Sequence, residues 1–215
     1  MSNSVKIHKI RQGDPHYPAQ LCKRMGQHAP ASIAVAGDAN ILGRPSIGLI
    51  CSIQCPGSII IKTFDMVRAL RDAGVTMIGG FHSPMEKDCL EILLRGSQPL
   101  ILALAKGFSG LRLGQEAMQA LGEGRLLVLT KFPDDLSQVT LAHAVERNRL
   151  VAALADALFV PYAVSGGKTN TLVCESLQQG QKVYTVDDEN NKELIALGVK
   201  PCRSGSLDET LSPFS

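Results

Sequence analysis

Ala157-Leu-Phe-Val-Pro-Tyr-Ala-Val-Ser-Gly-Gly-Lys-Thr-Asn-Thr171 decides how the rest of the chain is read, because an apolar run enters it and a helical pattern leaves it. Between the two lies a turn with Gly166, Gly167, Lys168 and the hydroxyls of Tyr162, Ser165, Thr169 and Thr171. A glycine turn that feeds a helix exposes successive backbone N–H groups where the helix dipole is positive, which favours a phosphate or another anion. The candidate contacts are Ser165, Gly166, Gly167, Lys168, Thr169, Asn170 and Thr171. Gly167-Lys168-Thr169 invites the reading of an ATP-hydrolysing P-loop. That motif needs a glycine five positions before Gly167, and Tyr162 stands there. A strand, a glycine turn and a helix remain: an anion site, or a turn of purely structural purpose.

The same alternation of apolar run and amphipathic pattern extends outward in both directions. Upstream, Ile33–Ala36 reads as a short edge strand and Ser46–Cys51, Val75–Ile78, Leu100–Ala105 and Leu126–Thr130 as further strands. Downstream, Leu158–Val160 and Lys182–Val186 follow. Between them, Ile59, Thr63, Met66 and Leu70 share one helical face, Met85, Cys89, Ile92 and Leu93 another, and Leu141, Ala144, Val145, Val151 and Ala155 a third on a helix expected from Ser137 to Ala155. Strands alternating with helices predict an α/β fold of three layers, with a mainly parallel sheet covered on both faces. The length supports one core, so a single domain is expected over 31–200, with a lead-in over 1–30 and a loosely held tail over 201–215.

In such a sheet, ligands gather at the carboxyl ends of the strands. The first such turn offers Ser52, Gln54, Gly57 and Ser58, and the second Gly79, Gly80 and His82. His82 reads either as a base or phosphate partner, or as a loop histidine bonded to backbone. Ser83-Pro84-Met85-Glu86 is a capping box that opens a helix. Lys131 opens the loop after the fifth strand, and Arg147, Asn148 and Arg149 ride the helix that follows, where they read either as a phosphate fork or as a solvated helix face. Glu175, one turn into the helix after the glycine turn, either does glycosidic chemistry on a bound nucleotide or faces water.

Composition narrows the function. With 22 basic and 20 acidic residues the net charge is +2, so any basic surface is local. The six cysteines are scattered, and the polar opening Met1–Ile10 is no signal peptide, which points to a reducing cytoplasm. Cys51 and Cys55 lack a second ligand pair at zinc distance, so no metal is expected, and no cofactor. No apolar run approaches membrane-spanning length, so no membrane partner is expected.

Arg147-Asn-Arg-Leu-Val-Ala-Ala-Leu-Ala-Asp-Ala-Leu-Phe-Val160, then Ser165-Gly166, then Gln179-Gly-Gln-Lys-Val-Tyr184, resembles the DNA-processing protein A (Smf) family. Gly13-Asp-Pro-His-Tyr-Pro18 and Gly37-Asp-Ala-Asn-Ile-Leu42 are similar to that family's approach to its Rossmann-like domain. The resemblance spans roughly Ile10 to Gly198. It implies a Rossmann-like fold, binding of single-stranded DNA, a homodimer, and loading of a RecA-type recombinase during DNA uptake and recombination. Where the family has Gly-Ser-Arg after its first strand, this chain has Cys51-Ser52-Ile53, without the arginine that contacts DNA. Where the family has Ser-Gly-Leu-Ala-x-Gly-Ile-Asp, this chain has Gly79-Gly-Phe-His-Ser-Pro-Met-Glu86. Gly166-Gly-Lys-Thr-Asn-Thr-Leu-Val-Cys-Glu175 is also similar, with Glu175 late, to the motif of LOG-type nucleotide phosphoribohydrolases. That enzyme reading, and a sensor of a nucleotide-derived signal, stand as alternatives to DNA binding.

Overall fold

Parallel strands in the order β6-β5-β4-β3-β7-β8-β9 form the body of the sheet in the computed structural model, which describes residues 6–204. They are β3 Ser46–Leu49, β4 Thr76–Gly79, β5 Leu100–Ala103, β6 Leu126–Thr130, β7 Ala157–Phe159, β8 Lys182–Val186 and β9 Lys200–Cys202. Two antiparallel strands, β1 Ile7–Arg11 and β2 Ser32–Ala36, extend the sheet beyond β6. The chain winds from β3 outward through β4, β5 and β6, then crosses back to lay β7 on the other flank of β3. That reversal between β3 and β7 is the topological switch point, the place where open sheets of this kind usually bind ligands.

Two hydrophobic layers hold the helices to the sheet. On one face, α2 Gly57–Asp72, α3 Pro84–Leu94 and α4 Gln115–Gly122 pack Met66, Leu70, Cys89, Leu93 and Ala120 against Leu49, Met77, Leu102 and Val128. On the other, α1 Ala19–Met25, α5 Leu141–Leu154, α6 Lys168–Gln178 and α7 Lys192–Ala196 pack Leu21, Leu150, Val151, Val173 and Leu194 against Ile33, Ile78, Leu129 and Leu158. The expected inner face of α2 is buried at all four positions, Ile59, Thr63, Met66 and Leu70, because their spacing keeps one stripe toward the sheet. No helix among the described residues is long and apolar enough to cross a membrane.

Four sequence expectations are corrected. Ile33–Ala36 is an interior strand, because Ile7–Arg11 pairs along its outer side. That edge strand was not anticipated: only Ile10 of its five residues is buried, so it carries almost no apolar signal. Helix α5 begins at Leu141 under a Thr140–His143 capping box, and Leu141 is 68% exposed, so the expected core face starts a turn later. Lys200–Cys202 pairs in parallel with β8, so the beginning of the expected loose tail is a strand. The remainder of that tail, 205–215, lies outside the described residues.

Helix α1 is fastened to the far end of α5 by one side chain. Arg24 Nη1 donates to the carbonyls of Ala152 and Ala153 at 3.2 Å and also to that of Ala155, terminal groups that have no partner within their helix. Gln181 Nε2 donates to Ala152 and Ala155 from the other side, so part of the cap survives without Arg24. Arg24→Met is expected to lower unfolding free energy by about 1–2 kcal/mol, read from urea denaturation.

Candidate functional site

At the switch point, the loops leaving β3 and β7 are stitched together. Ser52 N–H donates to Tyr162 O at 3.0 Å, and Val164 N–H donates to Ser52 Oγ at 3.1 Å. Gly167 N–H closes a turn onto Val164 O at 2.9 Å, with Gly166 at φ +67°, a conformation that only glycine adopts without strain at the third turn position. The hydroxyl of Ser52 is therefore engaged in holding the glycine turn. Ser165, Gly166, Lys168 and Thr171 are exposed, Gly167 and Asn170 are half-buried, and Thr169 is buried under the first turn of α6.

Both helices that start from these two loops begin without a side-chain cap. Pro56 precedes α2 and Gly167 precedes α6, and neither supplies a capping oxygen. Their first N–H groups, with Gly57, Ser58 and Gln54 exposed on one side and Lys168 on the other, are free to meet an anion. The next helix along, α3, is closed instead by its own residues. Ser83 Oγ accepts from Glu86 N–H, and Glu86 Oε2 accepts from the N–H groups of His82 and Ser83 at 2.9 and 3.1 Å. Glu86 Oε1 reaches across to accept Cys51 N–H at 2.9 Å. One buried carboxylate thus ties the loop after β3 to the loop after β4. Sequence reasoning saw only the capping box, since the partner at Cys51 lies 35 residues away.

Gly79 and Gly80 serve a different purpose from a phosphate turn. Phe81 holds φ 47°, the one positive φ among described non-glycine residues, so that its ring turns into the core while the next two N–H groups face Glu86. On Gly80 lies the guanidinium of Arg147: a Cβ at residue 80 would fall inside it. Arg147 is 5% exposed, and its one side-chain hydrogen bond among the described residues runs from Nε to Asn148 Oδ1 at 2.7 Å. Burial pulls its pKa down, and the nearby Glu86 carboxylate opposes this in part. It remains a cation, because arginine starts so far above neutrality.

Arg147 and Arg149 part company. Residues two apart on a helix point to opposite sides, and Arg149 turns to α6, where it meets Glu175 at 3.0 Å and Glu146 at 3.1 Å. Lys131 Nζ pairs with Glu146 at 2.6 Å. Lys131, Glu146, Arg149 and Glu175 form one chain of alternating charge along α5, and the cations hold the Glu146 carboxyl below its usual range. Glu175 thus lines a groove between α5 and α6 with Arg149, and Asn148, Lys168 and Thr171 border the same groove. His82 is exposed, and it meets Glu86 through its backbone N–H. The thiols of Cys51 and Cys55 interact within the first loop, which pushes the buried Cys51 up and Cys55 down.

The family described as DNA recombination-mediator protein A matches residues 8–200. Among solved structures, DNA processing protein A from Streptococcus pneumoniae superposes with a TM-score of 0.80 at 18% identity, over 98% of this chain and 75% of that one. DNA processing protein A from Helicobacter pylori, reported for a single-stranded DNA binding mode, superposes with a TM-score of 0.79 at 16% identity over 99% of both chains. A molybdenum cofactor binding protein from Rippkaea orientalis shares the fold more distantly, with a TM-score of 0.56 at 14% identity over 79% of this chain and 96% of that one. No curated protein matches the chain. At these identities the superpositions establish the Rossmann-like fold.

Proposed function

The chain belongs to the DNA recombination-mediator protein A family, and from that premise we propose that it binds single-stranded DNA through its phosphates along the carboxyl edge of the sheet. The observation that carries the reading is Arg147, a buried cation at that edge with no ion pair among the described residues. A guanidinium largely withdrawn from water, with the Glu86 carboxylate nearby but in no ion pair with it, is poorly compensated, and a phosphate would complete it with two parallel hydrogen bonds. The uncapped starts of α2 and α6, with Lys168 exposed, extend the anionic track to either side. Ser52, Gln54, Gly57, Ser58, Gly79, Gly80, His82, Asn148 and Ser165 to Thr171 are proposed as its borders. The same reading carries the family's homodimer and its delivery of DNA to a RecA-type recombinase in uptake and recombination, which light scattering and strand-exchange assays check. Base release by Glu175 has no support in a carboxylate committed to Arg149.

Anisotropy of a labelled oligonucleotide across a salt series tests the proposal. Binding should weaken steeply, each phosphate contact contributing about −0.7 to the slope of log K against log salt. Absent or salt-indifferent binding at low salt defeats it. A second expectation follows from the paired cations: Glu146→Gln releases Lys131 and part of Arg149. It should raise affinity about threefold at low salt and hardly at all in high salt, since the attraction between the released cations and the strand is screened by salt.

A further inference from the structure

Single strands are held by bases stacked on aromatic rings as much as by phosphates, and three phenylalanines among the described residues are closed to a base. Phe81, Phe108 and Phe159 are 5%, 7% and 2% exposed. Phe132, in the loop that leaves β6, is half-buried and lines a groove of about 550 Å3 together with Lys9, Ala34, Phe108, Thr130 and Pro133. This volume lies within the range of small-ligand sites. The groove runs between that loop and the face of β1 and β2 that looks toward the α4 layer.

Its walls are fixed in advance. Thr130 Oγ1 donates to Lys106 O at 2.7 Å and accepts Phe132 N–H at 3.1 Å. Gly107 N–H donates to Leu136 O at 3.0 Å, and the loop packs so closely on Gly107 that a Cβ there would overlap Pro133 O. The acid of the groove, Asp134, is engaged by Ser109 N–H at 3.0 Å. One side of the Phe132 ring is braced by His143, with ring centroids 5.3 Å apart at 60°. Lys131 Nζ stands 5.7 Å from the ring centroid, and Lys9 lies on the opposite wall. His143 is one turn before Arg147 on α5, about 6 Å along the helix axis.

We propose that this groove is a base-stacking subsite for single-stranded nucleic acid, with Phe132 as the platform, Lys9 as the partner of one flanking phosphate and Lys131, which it would share with Glu146, as the partner of the other. The inference rests on the DNA reading above and places the nucleotide next to the one held at Arg147. An apolar floor with aromatic rings and two lysines at the rim fits a base joined to phosphates, and it needs no particular base, because every base has a stacking face.

The chain contains no tryptophan, so Phe132→Trp installs one reporter in the groove. A labelled thymidine 20-mer titrated into this variant should quench the tryptophan emission along the same isotherm as the anisotropy. Phe132→Ala, and Phe132→Leu, which keeps apolar bulk without a ring, should each weaken binding about tenfold, while a strand of abasic sites should bind wild type and both variants alike. Binding with unchanged tryptophan emission, or equal affinity of Phe132→Leu and wild type for the 20-mer, overturns the subsite and leaves the phosphate track standing. No binding to wild type at low salt brings down the DNA reading and the subsite together.

Discussion

Arg147→Met should weaken oligonucleotide binding by tenfold or more while leaving the protein as stable as before, or more so. Hydrogen bonds to a charged partner are worth about 1.5–3 kcal/mol, and that range spans from about ten- to about a hundredfold in affinity. The same side chain is a burden to the empty protein. It is 5% exposed, bonded to Asn148 through Nε alone, and seated on the backbone of Gly80. An apolar chain of similar length at this position removes the cost of holding a charge away from water, and no ion pair is broken in doing so. Glu86, which would lose a nearby cation, keeps its three backbone donors. Anisotropy at two salt concentrations and thermal unfolding read the two signs separately. A lower melting temperature with unchanged binding would make Arg147 a structural member of the loop.

Glu86→Ala carries the largest expected loss of stability, about 3–5 kcal/mol. Three N–H groups, of Cys51, His82 and Ser83, lose their acceptor at once, and each unsatisfied buried group costs about 1–3 kcal/mol before relaxation. Relaxation would free the loop after β4, where Phe81 sits in a strained backbone conformation. Glu86→Gln separates the contributions: its amide oxygen can still accept from Cys51 while the NH2 group replaces the oxygen facing His82 and Ser83. An intermediate loss is expected. Urea denaturation should show the midpoint falling with little change in slope; a midpoint within error of wild type for Glu86→Ala would refute the bridging role.

The elements that the sequence revealed are those whose signal is local. Runs such as Leu126–Thr130 are apolar throughout because both faces of a parallel strand are covered, and all five residues are buried. The cap at Ser83 needs only three neighbours to be recognised. Strand β1 escaped because an edge strand buries a single residue, Ile10. The grouping of Arg147 with Arg149 read proximity in the chain as proximity in space, although helical periodicity alone sets them on different sides. What periodicity could not tell is which side meets Gly80, and that depends on β4 lying next to β3. The pairing of Lys131 with Glu146 likewise arises from two elements that only the folded chain brings together.

Gly80 and Arg147 also constrain each other. While the guanidinium keeps its present seat, a Cβ at 80 would fall inside it, so any residue larger than glycine there has to push the far end of the arginine aside. A shorter residue at 147 lifts that constraint. Filling position 80 and shortening position 147 are thus two routes to one outcome, since either takes the guanidinium from its seat on the loop after β4.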